Sequence, residues 1–376
     1  MRVLVVNAGS SSLKLAIIDH PADGDAAGGD GEVLGAMTIQ RWEGADHLEP
    51  LREFLDQAPA VDAVGHRVVH GGPRYRASVR VDDEVVAYLD SIADLAPLHN
   101  PRAVAAIRAV GDLLPDLPTV AAFDTSFHAT IPDDAATYAL PREWNHRYQL
   151  RRYGFHGLSH AYAARRAAEI TGRRLTDHRV VSCHLGAGAS LCAVRDGRSV
   201  DTTMGFTPLA GLVMQTRVGS VDPGLLLWLL QQGHVDPATL SQILEHQSGL
   251  KGLSGTSGDL RDVLAARDAG DADATLALDV FVHRLVRETG AMAASAGGLD
   301  VLVFTGGMGE HAPELRAAAA RGLFHLGVEL DAVANLATAD ADISADGARV
   351  RTVVVTARED VEVAREVRRA LDGARG

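Results

Sequence analysis

Short apolar runs alternate with polar or glycine-rich loops along the chain, a pattern that predicts the strands and helices of an α/β protein. The first apolar run, "RVLVV", is followed by the loop "NAGSSSLK" (7–14) and by a second apolar run, "LAIID". This order predicts two strands joined by a loop that is rich in hydroxyl and backbone N–H groups. Because such groups can surround an anion, the loop suits the binding of a phosphate.

A similar pattern returns half a chain later, in "RVVSCHLGAGASLCAVRD" (179–196). With an offset of 177, five of eighteen positions are identical to those of residues 2–19. The identical pairs are 2/179, 3/180, 9/186, 16/193 and 19/196. Five matches can arise by chance, but both segments predict a strand, a glycine-containing turn and a second strand. The sequence leaves duplication and chance similarity open, and duplication predicts two domains of one fold.

The other periodic segments predict a mixture of helices and buried strands. Helices are expected from about Asp82, from near Pro101 and over roughly residues 272–296, and Asp259 is expected to cap a helix. A charged amphipathic helix is expected to close the chain, and the Gly/Ala/Asp-rich stretch 20–31 predicts a surface loop. Further strands and loop-to-helix segments are predicted at 63–72, 119–128, 153–170, 300–311 and 349–360.

Length and charge narrow the classes of protein to which the chain can belong. Its 376 residues favour two domains. The formal net charge of −13 and the pI near 5.6 argue against general binding to nucleic acid or to anionic membranes. No apolar stretch has the length of a membrane span or of a secretory signal. We therefore expect a cytoplasmic protein in which Cys183 and Cys192 are reduced core thiols.

The 36 basic residues include only two lysines, Lys14 and Lys251. Where arginine stands at nearly every other basic position, a lysine indicates a need for a compact ammonium group. Lys14 lies in the hydroxyl-rich loop and is a candidate phosphate ligand, whereas Lys251 is expected to be a solvated surface residue.

Nine segments, in family order and spread over almost the whole chain, resemble the acetate kinases of the acetokinase family. They are "NAGSSSLK", "HRVVHGG", "PLHNP", "FDTSFH", "YGFHGLSH", "CHLGAGAS", "MGFTPLAGLVMQTR", "SGDLRD" and "FTGGMGE". The resemblance implies an α/β fold of two duplicated actin-like ATPase domains, with mixed sheets flanked by helices, around an interdomain cleft. Residues 1–150 would form the N-terminal domain, rejoined by the C-terminal helix at about 360–376, and residues 151–359 the nucleotide-binding domain.

The same resemblance implies a homodimer that transfers a phosphoryl group reversibly between ATP and acetate, giving ADP and acetyl phosphate. The implied metal is Mg²⁺, with Mn²⁺ as an alternative. A carboxylic acid titrates near pH ~4, so acetate is already an anionic nucleophile at neutral pH and needs no general base. The difficulty is the approach of an anion to a polyanion, and catalysis is expected to depend on positioning and on positive charge.

Residue roles follow from the family by matching motifs. The resemblance implies that Asp124, His156 and Arg217 are catalytic: a carboxylate near the metal, an imidazole that hydrogen-bonds the phosphoryl group, and a guanidinium group that steadies it. It also implies that Arg67 binds the acid, and in a strand Arg67 and Val69 would share one face. The implied acid pocket consists of Val69, Leu98, Phe155 and Pro208.

Metal and nucleotide sites are implied in the same way. The implied metal ligands are Asn7 and Glu359, although a one-residue insertion leaves Asp360 as an alternative to Glu359. Both glycine-containing hairpins would contact phosphates, and two later segments would contact the nucleoside. The implied nucleotide-binding residues are Ser10, Ser12, Lys14, His184, Leu185, Gly186, Ala187, Gly188, Asp259, Leu260, Arg261, Gly307, Met308, Gly309, Glu310 and His311.

Several positions depart from the family pattern. Ala187 stands where members usually carry Asn, which removes a polar contact near the phosphates. Ala210 replaces a Glu, and Val218–Ser220 replaces Ser-Gly-Asp. These changes leave open propionate or another short-chain acid as the substrate, and another phosphoryl donor such as pyrophosphate. Two alternatives of other kinds are an ATP-driven binding module without an acyl substrate and an inactive relative.

Overall fold

The computed structural model describes most of the chain. The described residues are 1–9, 12–20, 31–40, 42 and 49–373. Ser10, a predicted phosphate ligand, lies outside them, as does most of the predicted surface loop at 20–31.

The chain divides into two compact units, each of which contains a sheet of six strands. The first unit consists of Met1–Ala129, Phe155–Tyr162 and Arg358–Gly376, and the second consists of Thr130–Gly154 and Ala163–Ala357. The last helix of the chain therefore belongs to the same unit as the first strand. The predicted domain boundary at residue 150 stays a prediction.

The sheet of the first unit combines parallel and antiparallel pairs. Its strands are β1 (Arg2–Ala8), β2 (Ser12–Asp19), β3 (Glu32–Gln40), β4 (Ala63–Val68), β5 (Val79–Arg80) and β6 (Thr119–Phe123). Their order across the sheet is β3-β2-β1-β4-β6-β5. β1, β4 and β6 are parallel, while β2, β3 and β5 run antiparallel to their neighbours.

The sheet of the second unit is built in the same way. Its strands are β7 (Arg179–Leu185), β8 (Ala189–Arg195), β9 (Arg198–Thr202), β10 (Val301–Thr305), β11 (Ala341–Asp342) and β12 (Arg351–Val354). Their order is β11-β12-β10-β7-β8-β9. β7, β10 and β12 are parallel, and the other three strands are antiparallel to their neighbours.

Helices connect the strands and cover the sheets. They are α1 (Glu49–Gln57), α2 (Asp83–Ser91), α3 (Asn100–Leu113), α4 (Asp133–Ala136), α5 (Arg142–Arg147), α6 (Gly157–Ile170), α7 (Pro223–Gln231), α8 (Pro237–Gln242), α9 (Gly249–Ser254), α10 (Leu260–Asp268), α11 (Ala272–Ala296), α12 (Gly306–His311), α13 (Pro313–Leu323) and α14 (Glu359–Asp372). None of the helices in the described ranges combines the length and apolar character of a transmembrane span.

The core of the first unit depends on the last helix. Val363 and Val367 of α14 pack with Val3 and Val5 on one face of the sheet, while the opposite face packs against α1 and α3. A Cβ atom at Gly65 on β4 would lie 2.6 Å from a methyl carbon of Val367 and 2.8 Å from one of Val363. Glycine at this position therefore allows the close approach of helix and sheet. In the second unit, α11 packs on β7, β8 and β9.

The two sheets share strand order and strand direction, which supports duplication over chance similarity. Their hairpins differ by one residue, because Ala8 pairs with Leu13 in the first, whereas Leu185 pairs with Ala189 in the second. The offset between equivalent residues is therefore 177 before the turn and 176 after it. The identities at 16/193 and 19/196 consequently fall at positions that are not equivalent. The identities at 2/179 and 3/180, and that of Gly9 with Gly186 at the start of the turns, remain equivalent.

Most predicted elements are confirmed, with changes at their ends. α11 has the predicted bounds, and α2 and α3 begin close to the predicted positions. Asp259 caps α10, since its carboxylate accepts a hydrogen bond from the backbone N–H of Arg261. β4 ends at Val68, earlier than the predicted strand-like segment 63–72, whereas β6 ends at Phe123 and a polar loop follows it, as predicted for 119–128. Asp124, for which the resemblance implies a catalytic role, directly follows β6.

Both cysteines are buried and neither forms a disulfide with another described residue, as predicted. Cys183 on β7 pairs with Leu191, whereas Cys192 on β8 pairs with Ser182, so the two thiols are not cross-strand partners. Burial raises the pKa of each thiol to about 12, and at neutral pH both are neutral core groups.

Candidate active site

Three polar side chains form a row across the first sheet. The pairing register places Asn7 on β1 between Lys14 on β2 and Arg67 on β4. Val3, Val5 and Asn7 are two residues apart along β1 and therefore share one face of the sheet. Because Val3 and Val5 pack against α14, the row lies on the face that α14 covers. The sequence-predicted metal ligand, phosphate ligand and acid-binding residue are therefore neighbours at one end of one sheet.

Arg67 forms ion pairs with two carboxylates. Its Nε and Nη2 donate to the two carboxylate oxygens of Asp124, at 2.9 and 2.7 Å, in a bidentate arrangement. Its Nη1 lies 2.7 Å from Oε2 of Glu359. Asp124 directly follows β6, and Glu359 is the first residue of α14. We call these residues, with Asn7 and Lys14, the Arg67 cluster.

The charges of the Arg67 cluster act on one another. Burial by itself lowers the pKa of Arg67, but the charges of Asp124 and Glu359 outweigh burial and raise this pKa above its ordinary value. Burial raises the pKa of Glu359, and so does the charge of Asp124, whereas Arg67 and Lys14 lower it. The net effect raises the pKa of Glu359, and a bound anion or metal ion can change this balance of charges.

The predicted catalytic His156 lies in a turn that is held against Asp124. The next residue, Gly157, donates its backbone N–H to the carbonyl oxygen of Asp124 at 2.8 Å. A Cβ atom at Gly157 would lie 2.2 Å from that oxygen, so a larger residue does not fit without movement of the backbone. His156 itself has a φ of +57°, a left-handed conformation that is uncommon for residues with a side chain. Conformations of this kind are concentrated at functional sites.

The predicted acid pocket is brought together only in part. Val69 is half-buried and is the second residue after Arg67, although it lies just beyond the end of β4. Phe155 is buried, with its ring 5.5 Å from that of His70. Leu98 is 44% exposed before α3, and Pro208 belongs to the second unit. The membership of Leu98 and Pro208 in the pocket stays a prediction.

The second unit contains a cavity of about 550 Å³ that joins three distant segments of the chain. Half of the sixteen predicted nucleotide-binding residues line it, from the β7–β8 turn, the start of α10 and α12. These residues are Gly186, Ala187, Asp259, Leu260, Arg261, Gly307, Met308 and His311. The convergence of three separately predicted segments makes this cavity the candidate nucleotide site.

Other predicted nucleotide-binding residues lie elsewhere. His184, Leu185 and Gly188 belong to the β7–β8 hairpin, whose turn is closed by a 3.0 Å hydrogen bond from Gly186 N–H to the carbonyl of Gly188. Gly309 and Glu310 are buried and do not line the cavity. Ser12 and Lys14 belong to β2 of the first unit.

Glu310 and Gly309 instead hold α12 in place. A carboxylate oxygen of Glu310 accepts the backbone N–H of Ala357 at 3.1 Å. The carbonyl oxygens of Gly309 and Glu310 accept hydrogen bonds from Nη1 of the fully buried Arg316, at 2.7 and 2.8 Å. Burial lowers the pKa of Arg316 to about 10, which still leaves it charged at neutral pH. A cation at the C-terminal end of α12 stabilises the helix that lines the cavity.

Asp259 and Arg261 form a pair at the cavity. Besides capping α10, the carboxylate of Asp259 accepts from Nε and Nη2 of Arg261, at 2.9 and 2.7 Å. These hydrogen bonds lower the pKa of Asp259 to about 2. The ion pair fixes the start of α10 and presents a planar guanidinium group on the cavity wall.

Arg217, the predicted catalytic arginine of the second unit, differs from Arg67. It is half-buried, and no carboxylate of the described chain lies within ion-pair distance of it. Burial lowers its pKa, and the charge of Glu245 acts in the opposite direction without cancelling this effect. An incompletely neutralised, partly buried arginine is suited to an incoming anion.

Four residues that line the cavity were missed in the sequence analysis: Gln215, Gly258, Leu264 and Ala312. Gly258 and Leu264 flank the start of α10, and Ala312 follows α12, so closeness in sequence to a predicted segment could have indicated them. Gln215 lies two residues before the predicted catalytic Arg217, so closeness in sequence could have indicated it as well.

The sequence model of the acetokinase family matches residues 43–365. The chain belongs to the acetokinase family. It is 43% identical to an acetate kinase of Dictyoglomus turgidum in an alignment of 396 residues that covers 99% of this chain and 98% of the relative. It is also 43% identical to a propionate kinase of Citrobacter rodentium over 389 residues, or 98% and 96% of the two chains.

A solved structure supports the same assignment. The crystal structure of Porphyromonas gingivalis acetate kinase matches with a TM-score of 0.89 and 34% sequence identity, over 98% of this chain and 99% of that chain. Membership of the acetokinase family confirms the resemblance on which the sequence analysis relied. It also confirms the predicted α/β fold with two actin-like sheets.

Proposed function

We propose that this protein is an acetate kinase that transfers a phosphoryl group reversibly between ATP and acetate. The observation that carries the proposal is the Arg67 cluster, in which a guanidinium group pairs with two carboxylates at one end of a sheet and Lys14 lies in the same row of residues. In the forward direction a bond forms between an acetate oxygen and the γ-phosphorus, and the bond from that phosphorus to ADP breaks. The products are acetyl phosphate and ADP.

Arg67 is proposed to hold the carboxylate of the acid. A guanidinium fork matches a carboxylate in geometry and charge, as its bidentate bond with Asp124 illustrates. Val69 lies half-buried two residues further on and would contact the methyl group. Because acetate is ionised at neutral pH, the site needs to orient a nucleophile rather than to remove a proton.

The residues present fit a magnesium ion. Asp124 and Glu359 bind the same guanidinium group and Asn7 stands beside Arg67, so three oxygen-bearing side chains lie at one sheet end. The described chain holds no set of three His, Cys, Asp or Glu side chains arranged to enclose a metal ion. Mg²⁺ is commonly held by one or two carboxylates together with substrate phosphates, and Mn²⁺ accepts the same ligands. When bound, the ion would neutralise phosphate charge.

The cavity of the second unit is proposed to hold ATP or ADP. Its lining combines a glycine-containing turn, a guanidinium group and the short helix α12, and its volume of about 550 Å³ lies within the range of small-molecule sites. Arg217 is proposed to steady the transferring phosphoryl group, and His156 to hydrogen-bond it. These roles come from the family resemblance.

Propionate is the second candidate substrate, because a propionate kinase is among the relatives with 43% identity. A hydroxamate assay with ATP and Mg²⁺ tests both candidates, using acetate, propionate and butyrate as acids. Trapping of the acyl phosphate by hydroxylamine should be fastest with acetate. Turnover of ATP that does not depend on any acid would indicate an ATP-driven binding module instead. Replacing ATP by GTP or pyrophosphate identifies the phosphoryl donor.

We further propose that the protein is a cytoplasmic homodimer. Helix α7 carries six leucine and tryptophan residues, yet none of its nine residues is buried within the chain. Leu227 and Trp228 are each more than half exposed. Soluble monomers rarely leave such a patch uncovered, so a second copy of the chain is its proposed partner. Analytical ultracentrifugation should find a dimer, and Leu227→Glu should shift it to monomer. A monomeric unmodified protein at micromolar concentration would contradict this.

A further inference from the structure

Gln215 lies at a junction in the candidate nucleotide cavity. Its backbone N–H donates to the carbonyl oxygen of Ala187 at 3.2 Å, so it is held against the turn of the β7–β8 hairpin. Its own carbonyl accepts the N–H of Lys251 at 3.0 Å, and a Cβ atom at Gly258 would lie 2.6 Å from that carbonyl oxygen. The backbone of Gln215 therefore joins the hairpin turn to the segment before α10.

The side chain of Gln215 is not used by the fold. Within the described ranges its amide makes no hydrogen bond to another residue, and neither of its polar atoms is buried away from solvent. An amide of this kind offers two N–H donors and one acceptor. Since the residue lines the cavity, these donors are available to whatever occupies the cavity.

Ala187 is the neighbour that lacks such a group. It stands in the turn at the position where family members usually carry Asn, and it lines the same cavity. Alanine cannot donate a side-chain hydrogen bond, so the turn provides only its backbone N–H groups at that point. The backbone of Gln215 is hydrogen-bonded to Ala187, so the side-chain amide of Gln215 can occupy the same region of the cavity.

We propose that the side-chain amide of Gln215 donates to the phosphate chain of the bound nucleotide and so replaces the contact that Ala187 cannot make. The proposal rests on the proposed function, because it requires a nucleotide in this cavity. It assigns Gln215 to the phosphates rather than to the base, since its hydrogen-bonded neighbour is the hairpin turn. The loss of one such charge-assisted hydrogen bond should weaken binding about tenfold or more.

The test is calorimetric binding of Mg-ADP and of adenosine to the full-length protein. Gln215→Ala should weaken ADP binding about tenfold, with adenosine binding changed less than twofold. Ala187→Asn in that background should recover most of the loss, whereas Ala187→Asn alone should gain little, because the two amides serve one contact. Gln242→Ala, an exposed change on α8, is the control and should leave both ligands unaffected.

Three outcomes would overturn the proposal: unchanged ADP affinity in Gln215→Ala, equal losses for ADP and adenosine, or additive effects of the two substitutions. If Gln215→Ala fails to fold, Gln215→Glu keeps the side-chain size and should weaken ADP binding even more through repulsion of the phosphates. An unmodified protein that binds neither ATP nor ADP would instead refute the nucleotide site itself, which separates this failure from that of Gln215 alone.

Discussion

Nη1 of Arg67 lies 2.7 Å from Oε2 of Glu359, and the Nε and Nη2 edge of the same guanidinium group is bonded to Asp124. Carboxylates of the chain thus occupy three of the five N–H groups of the side chain proposed to receive the acid. An incoming acetate that binds through Nη1 has to compete with Glu359, which is more exposed than Asp124. A ligand that draws Glu359 away from Arg67 would at the same time open the binding place for the acid.

Removal of the charge of Glu359 should therefore strengthen acid binding to the metal-free protein. Glu359→Gln is expected to increase the affinity for acetate about tenfold, measured by equilibrium dialysis with labelled acetate in the presence of a chelator. Turnover with Mg-ATP should fall, because a proposed metal ligand is lost. Glu366→Gln on the same helix, where Glu366 pairs with Ser78 and Arg369, is the matched control. Unchanged acetate affinity in Glu359→Gln would show that the pair does not compete with the acid.

Loss of the guanidinium group of Arg67 should weaken the use of acetate and leave the binding of ATP nearly unchanged. Arg67→Ala is expected to lower kcat/KM for acetate at least about tenfold, with ATP binding nearly unchanged, since a charge-assisted contact contributes roughly 1.5–3 kcal/mol. Steady-state kinetics with each substrate varied in turn measure both effects. Arg74→Ala, which removes an exposed arginine paired with Glu84, should alter neither. Normal acetate kinetics in Arg67→Ala would remove this residue from the site.

The preference of the enzyme for acids of different chain length should depend on Val69. Val69→Ala is expected to raise the propionate-to-acetate ratio of kcat/KM, because the wall of the proposed pocket recedes by two methyl groups. One methylene group discriminates by only about 1–3 kcal/mol, so the change should be modest. Hydroxamate formation from the two acids measures the ratio. The matched change Val333→Ala, at a residue that is 78% exposed in the second unit, should leave the ratio as it is.

The turn that carries His156 should not tolerate a side chain at Gly157. In Gly157→Ala the new Cβ atom would lie 2.2 Å from the carbonyl oxygen of Asp124, a backbone atom that cannot turn aside. We expect a loss of about 1–3 kcal/mol in the free energy of unfolding, together with a lower kcat. Gly111→Ala on α3, where no atom lies within 4 Å of the new Cβ, should be neutral or stabilising. Urea denaturation compares the two variants.

Acid should destabilise the protein through His66. Burial lowers the pKa of this β4 residue to about 3, and its Nε2 has no hydrogen-bond partner in the described chain. Because the unfolded chain binds the proton near pH 6.5, stability falls as the pH decreases from about 6.5 towards 3. At pH 5 the loss from His66 should be about 2 kcal/mol. In His66→Leu the difference in free energy of unfolding between pH 7 and 5 should shrink by that amount, and His146→Leu, an exposed site, should not change it.

The sequence predicted well those features that local patterns determine. The bounds of α11, the start of α2 and the cap of α10 follow from periodicity and from the preferences of Asp at helix starts. Half of the predicted nucleotide-binding residues line the cavity. They were predicted from motifs, each of which is a contiguous segment of the chain.

Features that depend on contacts between distant segments of the chain could not be predicted from local sequence patterns. The hairpin offset changes by one residue because a loop is longer, and only the pairing of Ala8 with Leu13 reveals this. The position of Gln215 in the cavity depends on its backbone hydrogen bond to Ala187, and the pairing of Arg67 with Glu359 joins the fourth strand to the last helix. No periodicity or composition encodes such pairs.

The contact of α14 with Gly65 has a consequence for how the protein is made. The sheet face formed by Val3 and Val5 stays uncovered until the ribosome has synthesised Val363 and Val367. The core of the first unit is therefore completed only once α14 has been synthesised. In contrast, all six strands of the second unit precede α14 in the chain. Nascent chains that stop before α14 would present a bare apolar surface to chaperones.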